Sequence, residues 1–275
     1  MGNKSSSTLI SINDELCNRK KNKSQRTVED GEAVILLDNI LECVGSYSTD
    51  SVKLNSKDVK LLSSIASHLS EEFGGVVTIS CRPSEMSARL RAVAVIHRIL
   101  QITFVAKNAL ENCASGLVNC ISPLSAKLTC LTINCICAGL VSLNDDACKC
   151  TILLQLETLG FYKMMLEVFD SITKKPSNVE GDGKLQSLAF LACVQHLVWV
   201  LGQQILQSSP VAILTTIKSF QKRLSDEISK HQDVIFRLTR DKERPVRFAA
   251  TILLIKLLNT QDRRQCAYLQ VLYPV

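Results

Sequence analysis

Two cysteine pairs, Cys135-x-Cys137 and Cys148-x-Cys150, have the residue type but not the spacing of a zinc site. Structural zinc takes its thiolates from Cys-x2–4-Cys knuckles in turns. These cysteines lie inside apolar runs of helical character, where residues two apart point about 200° away from each other. They read as small core hydrophobes, and no metal is expected. The four histidines, His68, His97, His196 and His231, each occupy a helical position with no acid or cysteine at ligand spacing, which suits packing better than proton transfer. No glycine-rich phosphate loop, Gly-x-Ser-x-Gly elbow or His-Glu-x-x-His pair occurs. The expectation is a protein with no catalytic residue and no cofactor.

Two features suit binding. Gly2 with Ser6 fits the Met-Gly-x-x-x-Ser/Thr pattern of N-myristoylation. The basic run Arg19–Arg26 would supply the second signal that stable anchoring needs. Basic residues also surround a turn near the C-terminus, at Arg240, Lys242, Arg244 and Arg247, diluted by Asp241 and Glu243. Residues 218–275 hold 12 Lys/Arg against 6 Asp/Glu, which accounts for the whole formal net charge of +6. Lys20, Lys21, Lys23, Arg240, Arg244 and Arg247 are therefore the candidate contacts to a DNA backbone, of the salt-dependent, sequence-independent kind.

The elements that must position these residues are helices. A hydrophobic content of 46% with only 5% aromatic suits aliphatic helix packing. Strand signals are nearly absent; Val76–Ser80 is β-prone but isolated. No apolar run approaches the roughly 18 residues of a bilayer span. Residues 1–30, rich in Ser, Asn and Lys, read as a disordered basic arm. Residues 31–275 read as a single helical domain with a loop near 174–183. Helices are expected over 31–45, 57–73 (capped by Ser56), 84–107, from Pro123 to Leu143, from Asp146 to Phe169 with an interruption at Gly160, 185–206 and from Pro210. Leu224, Ile228, His231, Ile235 and Leu238 share a helical face, and Asp226/Lys230 and Asp233/Arg237 are spaced as i,i+4 pairs. The charged turn 240–244 separates that helix from 246–258, which is expected to be buried on most sides. Helices of this length joined by short turns predict an all-α fold, either a HEAT/armadillo-like α-solenoid or an irregular bundle. Twelve cysteines and no secretory signal segment predict free thiols.

The stretch Lys230–Leu238, leading into an apolar helix that ends Lys256-Leu257-Leu258-Asn259, resembles the C-terminal region of the Mei-four type of accessory proteins for meiotic DNA double-strand-break formation. Leu197-Val198-Trp199-Val200-Leu201 with Gln204 and Leu206-Gln207 resembles that family's Trp-containing helix, and Leu131–Phe161 a helix–turn–helix with Leu-rich ends. The resemblance covers about residues 120–260. Val246-Arg247-x-x-Ala250 after Asp241 is also similar to the second helix of HEAT-type repeats. The resemblance implies a non-enzymatic scaffold in the nucleus, on the meiotic chromosome axis. Its partners would be proteins of the break-forming complex, a Rec-one-fourteen-type protein among them, and the DNA backbone. The alternative expectation is an N-myristoylated armadillo-like adaptor at a membrane surface, anchored through Gly2.

Overall fold

The structure, a computed structural model, describes residues 2–21, 30–47, 54–174, 182–202 and 210–260. It is all-α: among the described residues there are twelve helices and no strand. They are α1 (Gly2–Lys21), α2 (Asp30–Gly45), α3 (Ser56–Phe73), α4 (Pro83–Leu100), α5 (Thr103–Asn119), α6 (Ala126–Ser142), α7 (Asp146–Thr158), α8 (Phe161–Lys174), α9 (Asp182–Gly202), α10 (Val211–Ser229), α11 (Gln232–Leu238) and α12 (Arg244–Thr260). The chain divides into two compact units, residues 1–161 and 162–275, where the sequence reading has one domain from residue 31.

In the first unit, helices two apart in sequence pack together. α1 lies on α3, α3 on α5 and α5 on α7, while α2 lies on α4 and α4 on α6. The odd and even sets meet where α3 packs on α4 and α5 on α6. Local sequence explains the ends. Asn55, not Ser56, caps α3, its side chain accepting from the Asp58 amide at 2.7 Å. Ser125 and Asp145 cap α6 and α7 in the same way. Pro83 opens α4, where its missing N–H costs nothing. Gly160 adopts φ +78°, the left-handed conformation that ends α7 and lets α8 begin at Phe161.

α4 occupies the middle of this unit, and its arginines tie down neighbouring segments. Arg89 donates to the Gly75 carbonyl and pairs with Glu85 at 2.8 Å. Arg91 pairs with Asp38 of α2 at 2.8 Å. Arg98 Nη2 donates to the carbonyls of Tyr47 (2.7 Å) and Gly45 (3.4 Å), oxygens that the end of α2 leaves without helical partners. Arg98→Ala is expected to lower the unfolding free energy by about 1–3 kcal/mol, the range for a charge-assisted bond whose acceptors are left unmet. Urea denaturation of the full chain measures it.

Several expectations change. Residues 2–21 form a helix rather than a disordered arm. Leu9, Ile12 and Leu16 recur at spacings of three and four and are buried, which anchors α1 on α3 despite its Ser- and Asn-rich remainder. Residues 22–29 of that arm lie outside the described residues. Val76–Ser80 forms no strand. The helix expected over 84–107 breaks at Gln101–Ile102, because Ile102 is extended and buried at the corner. Pro123 lies in a turn, and α6 starts at Ala126.

In the second unit, α8 buries Tyr162, Met165, Leu166 and Phe169 on one face. Its Phe169 meets Phe190 of α9 edge-on at 5.1 Å, and Tyr162 meets Phe220 of α10 at 5.3 Å. α12 packs on α9 and α11. The helix expected through 224–238 is divided at Lys230–His231 by bonds to the third residue back, which keeps both Ile228 and Ile235 buried. Lys230 therefore pairs with Glu227 at 2.6 Å instead of Asp226. α12 is buried along one side only, through Val246, Ala250, Leu253 and Leu257; Phe248 (68% exposed) and Ile255 (52%) face outward. Leu185–Gly202 of α9 is long and apolar enough, by length and composition alone, to cross a membrane, contrary to the sequence expectation; half of it is buried among other helices.

Candidate nucleic-acid interface

The basic residues singled out by sequence fall into two groups, one in each unit. α11 and α12 are joined by a five-residue turn, Thr239–Glu243, whose shape is held from both sides. Asp241 Oδ1 accepts from the Glu243 amide at 2.8 Å, an Asx-turn that starts the approach to α12. Arg247, one turn into α12, reaches back and donates through Nη1 to the carbonyls of Asp241 (2.7 Å) and Lys242 (2.9 Å). Its guanidinium is thus engaged in building the turn. Arg240 is exposed and lies over the Phe236 ring at 5.0 Å, a cation–π contact that fixes its direction. Arg244 and Lys242 are exposed at the start of α12 and in the turn. Arg240, Lys242 and Arg244 hence form a small cationic edge standing on a turn that Arg247 stabilises. Asp233 lies on α11 beside it, with Arg237 Nε donating to the Asp233 carbonyl at 3.4 Å.

The N-terminal group is arranged differently. Gly2 opens α1. Lys20 is bound to Glu71 of α3 at 2.5 Å, and that ammonium, through its hydrogen bond first, holds the Glu71 carboxyl below the usual carboxylate range. Arg19 lies 3.9 Å from Glu15 and 3.8 Å from Glu72. Lys21 ends α1 with its side chain outside the described residues, and Lys23 lies outside them altogether, as do Arg263 and Arg264. The described part of this group therefore serves the α1–α3 seam.

The eleven cysteines among the described residues are all free thiols. Burial pushes Cys113 and Cys137 up to about 12, Cys120 to about 11 and Cys135 well above its ordinary value, so they stay protonated. A thiol must lose its proton to bind metal, and among the described residues no three acids, histidines or cysteines gather as a metal set. His196 is fully buried in α9, stacked on Tyr162 at 5.8 Å and tilted against Trp199 at 6.1 Å. Burial lowers it to about 3, which leaves it neutral at physiological pH.

No family model, curated protein or solved structure matches this chain. Its own residues carry the reading. Two clusters escaped the sequence reading because each draws a member from a distant helix. Cys148 Sγ donates to Asp145 Oδ2 at 2.8 Å, and the same sulfur raises Lys107 of α5. Cys17 of α1 meets His68 of α3 at 3.3 Å. Only the α1–α3 packing brings the second pair together across 51 residues of chain.

Proposed function

We propose that this protein is a non-enzymatic helical scaffold of the Mei-four type, required for meiotic DNA double-strand-break formation and recombination. Its helices stack as a HEAT/armadillo-like array and present protein-binding surfaces, and the turn between α11 and α12 makes contacts to the DNA backbone. It works in the nucleus on the meiotic chromosome axis, with protein partners of the break-forming complex. The observation that carries the array is the order of packing in the first unit, where odd helices stack on odd and even on even. Successive helical hairpins laid side by side produce that order. The 230–238 motif supplies the family, and Arg240, Lys242 and Arg244 stand exposed in and beside the turn that follows it.

The test of DNA contact is fluorescence anisotropy with a labelled duplex across a salt series. Binding is expected to weaken as salt rises, and the double variant Arg240→Ala/Arg244→Ala to reduce the slope of log K against log salt by about 2, one for each phosphate no longer neutralised. Arg247→Ala is expected instead to lower stability, since its guanidinium holds two turn carbonyls. A salt-independent signal, or a slope that the double variant leaves unchanged, would remove the DNA part of the proposal. Imaging a tagged copy beside a chromosome-axis marker in gonad tissue tests the rest: axial foci in early meiotic prophase support it, and membrane staining with a myristoyl mass shift on Gly2 overturns it.

A further inference from the structure

The α1–α3 seam brings together a thiol and an imidazole that no motif announces. Cys17 Sγ lies 3.3 Å from His68 Nε2, and both residues are part-buried. The far side of the imidazole fixes how it faces the sulfur. His68 Nδ1 is buried and has no hydrogen-bond partner. A buried N–H without an acceptor costs about 1–3 kcal/mol, so the ring proton is better placed on Nε2, toward the sulfur. Asn13, one turn earlier on α1, directs Nδ2 at the same sulfur from 3.9 Å. Two donors therefore converge on Sγ, an arrangement that orients the sulfur and offers a proton to a group leaving from its attack.

The charges flanking the pair are three acids and two bases, most of them engaged in ion pairs along the seam. On α1 they are Glu15, Arg19 and Lys20; on α3 they are Glu71 and Glu72, with Lys20 bound to Glu71 and Arg19 near Glu72. Among the other cysteines, Cys148 donates its own proton to Asp145 in a hydrogen bond.

We infer that Cys17 and His68 form a nucleophilic pair, and that Cys17 is the residue at which hydroperoxides oxidise this protein. Sγ attacks one peroxide oxygen, the S–O bond forms and the O–O bond breaks. The thiol's proton has passed to solvent water, the departing hydroxide or alkoxide takes the proton from His68 Nε2, and water returns a proton to the ring. Thiol and hydroperoxide become sulfenic acid and water or alcohol. The sulfur loses two electrons, which the peroxide gains.

The experiment treats the purified full chain with hydrogen peroxide in the presence of a dimedone probe, and in parallel with limiting iodoacetamide. Each cysteine is then quantified by peptide mass spectrometry. Cys17 is expected to carry most of the sulfenic adduct and to alkylate about tenfold faster than Cys81 or Cys148. His68→Ala separates chemistry from packing by the sign of its effect. Loss of a chemical partner slows Cys17 about tenfold and leaves Cys81 and Cys148 unchanged. Loss of a merely structural neighbour would expose Cys17 and speed it. Asn13→Ala, which keeps the ring in place, is expected to slow Cys17 severalfold. The inference is overturned if Cys17 reacts no faster than Cys81 and Cys148 in the unaltered protein, or if His68→Ala accelerates it.

Discussion

Gly116→Ala is expected to destabilise the first unit by about 3 kcal/mol, at the upper end of what overpacking a close contact costs. α3 and α5 cross there with backbone nearly touching backbone. A Cβ on Gly116 would lie 2.1 Å from Ser70 Oγ and 2.5 Å from the Ser70 carbonyl oxygen. The hydroxyl can rotate away but the carbonyl cannot, so the helices must separate. Separation would stretch the Ser70 Oγ–Cys113 carbonyl bond, 2.9 Å long and fully buried. It would also loosen the apolar packing of Leu69, Cys113 and Leu117, all buried. Gly74 stands at the same crossing, where a Cβ would meet the Ser70 carbonyl at 2.2 Å and Gly116 Cα at 2.6 Å. Ser70→Ala combined with Gly116→Ala should recover only part of the loss, since the backbone approach at 2.5 Å persists. Chemical denaturation of the single and double variants measures this. A Gly116→Ala protein as stable as the parent would show that the two helices are not so closely apposed.

The second large effect is acid sensitivity of the second unit. His196 has a native value of about 3 against 6.5 in the unfolded chain. Below pH 6.5 the unfolded chain takes up a proton that the native protein refuses, so stability rises with pH in this window. The full contribution is present above pH 6.5 and is lost progressively as the pH falls toward 3. By pH 5 the loss from this one group is roughly 2 kcal/mol. Carboxylates titrate over the lower part of the same range, so the quantity to follow is the difference between two proteins. The unfolding free energy of the unaltered chain should approach that of His196→Gln by about 2 kcal/mol between pH 7.5 and pH 5. A difference that stays constant over those pH values would mean that His196 accepts its proton in the folded state.

Both effects arise where residues distant in sequence meet, and they mark what a linear reading misses. Gly116 and Gly74 are 42 positions apart, and nothing in the local pattern of either signals that they share one crossing. His196 lies in an apolar helix, so its burial was legible; the Tyr162 ring beside it, from another helix, was not. α1 shows a subtler failure. Its average composition is polar, but the three buried positions Leu9, Ile12 and Leu16 decide its fate, because a narrow stripe suffices once α3 offers a surface.

The sequence by itself determined the helical class, most helix limits and the turns. These depend on local physics: capping side chains such as Asp145, the fixed φ of Pro83, and the freedom of Gly160 to take a positive φ. It also determined that Cys135 and Cys150 are buried in the core, since their apolar surroundings are neighbours in the chain. Tertiary structure alone decided the roles of the charged and reactive groups. Lys20 looks the same in sequence as Arg240, but a carboxylate on α3 pairs with the first while the second lies over its own helix's aromatic ring. Arg247, read as a phosphate contact, also holds the turn beneath it through Nη1. Cys17 and His68 acquire a chemical relation only when α1 lies on α3. Backbone preference acts over a few residues, whereas charge pairing and proton placement act through space, so the first can be read along the chain and the second only from the fold.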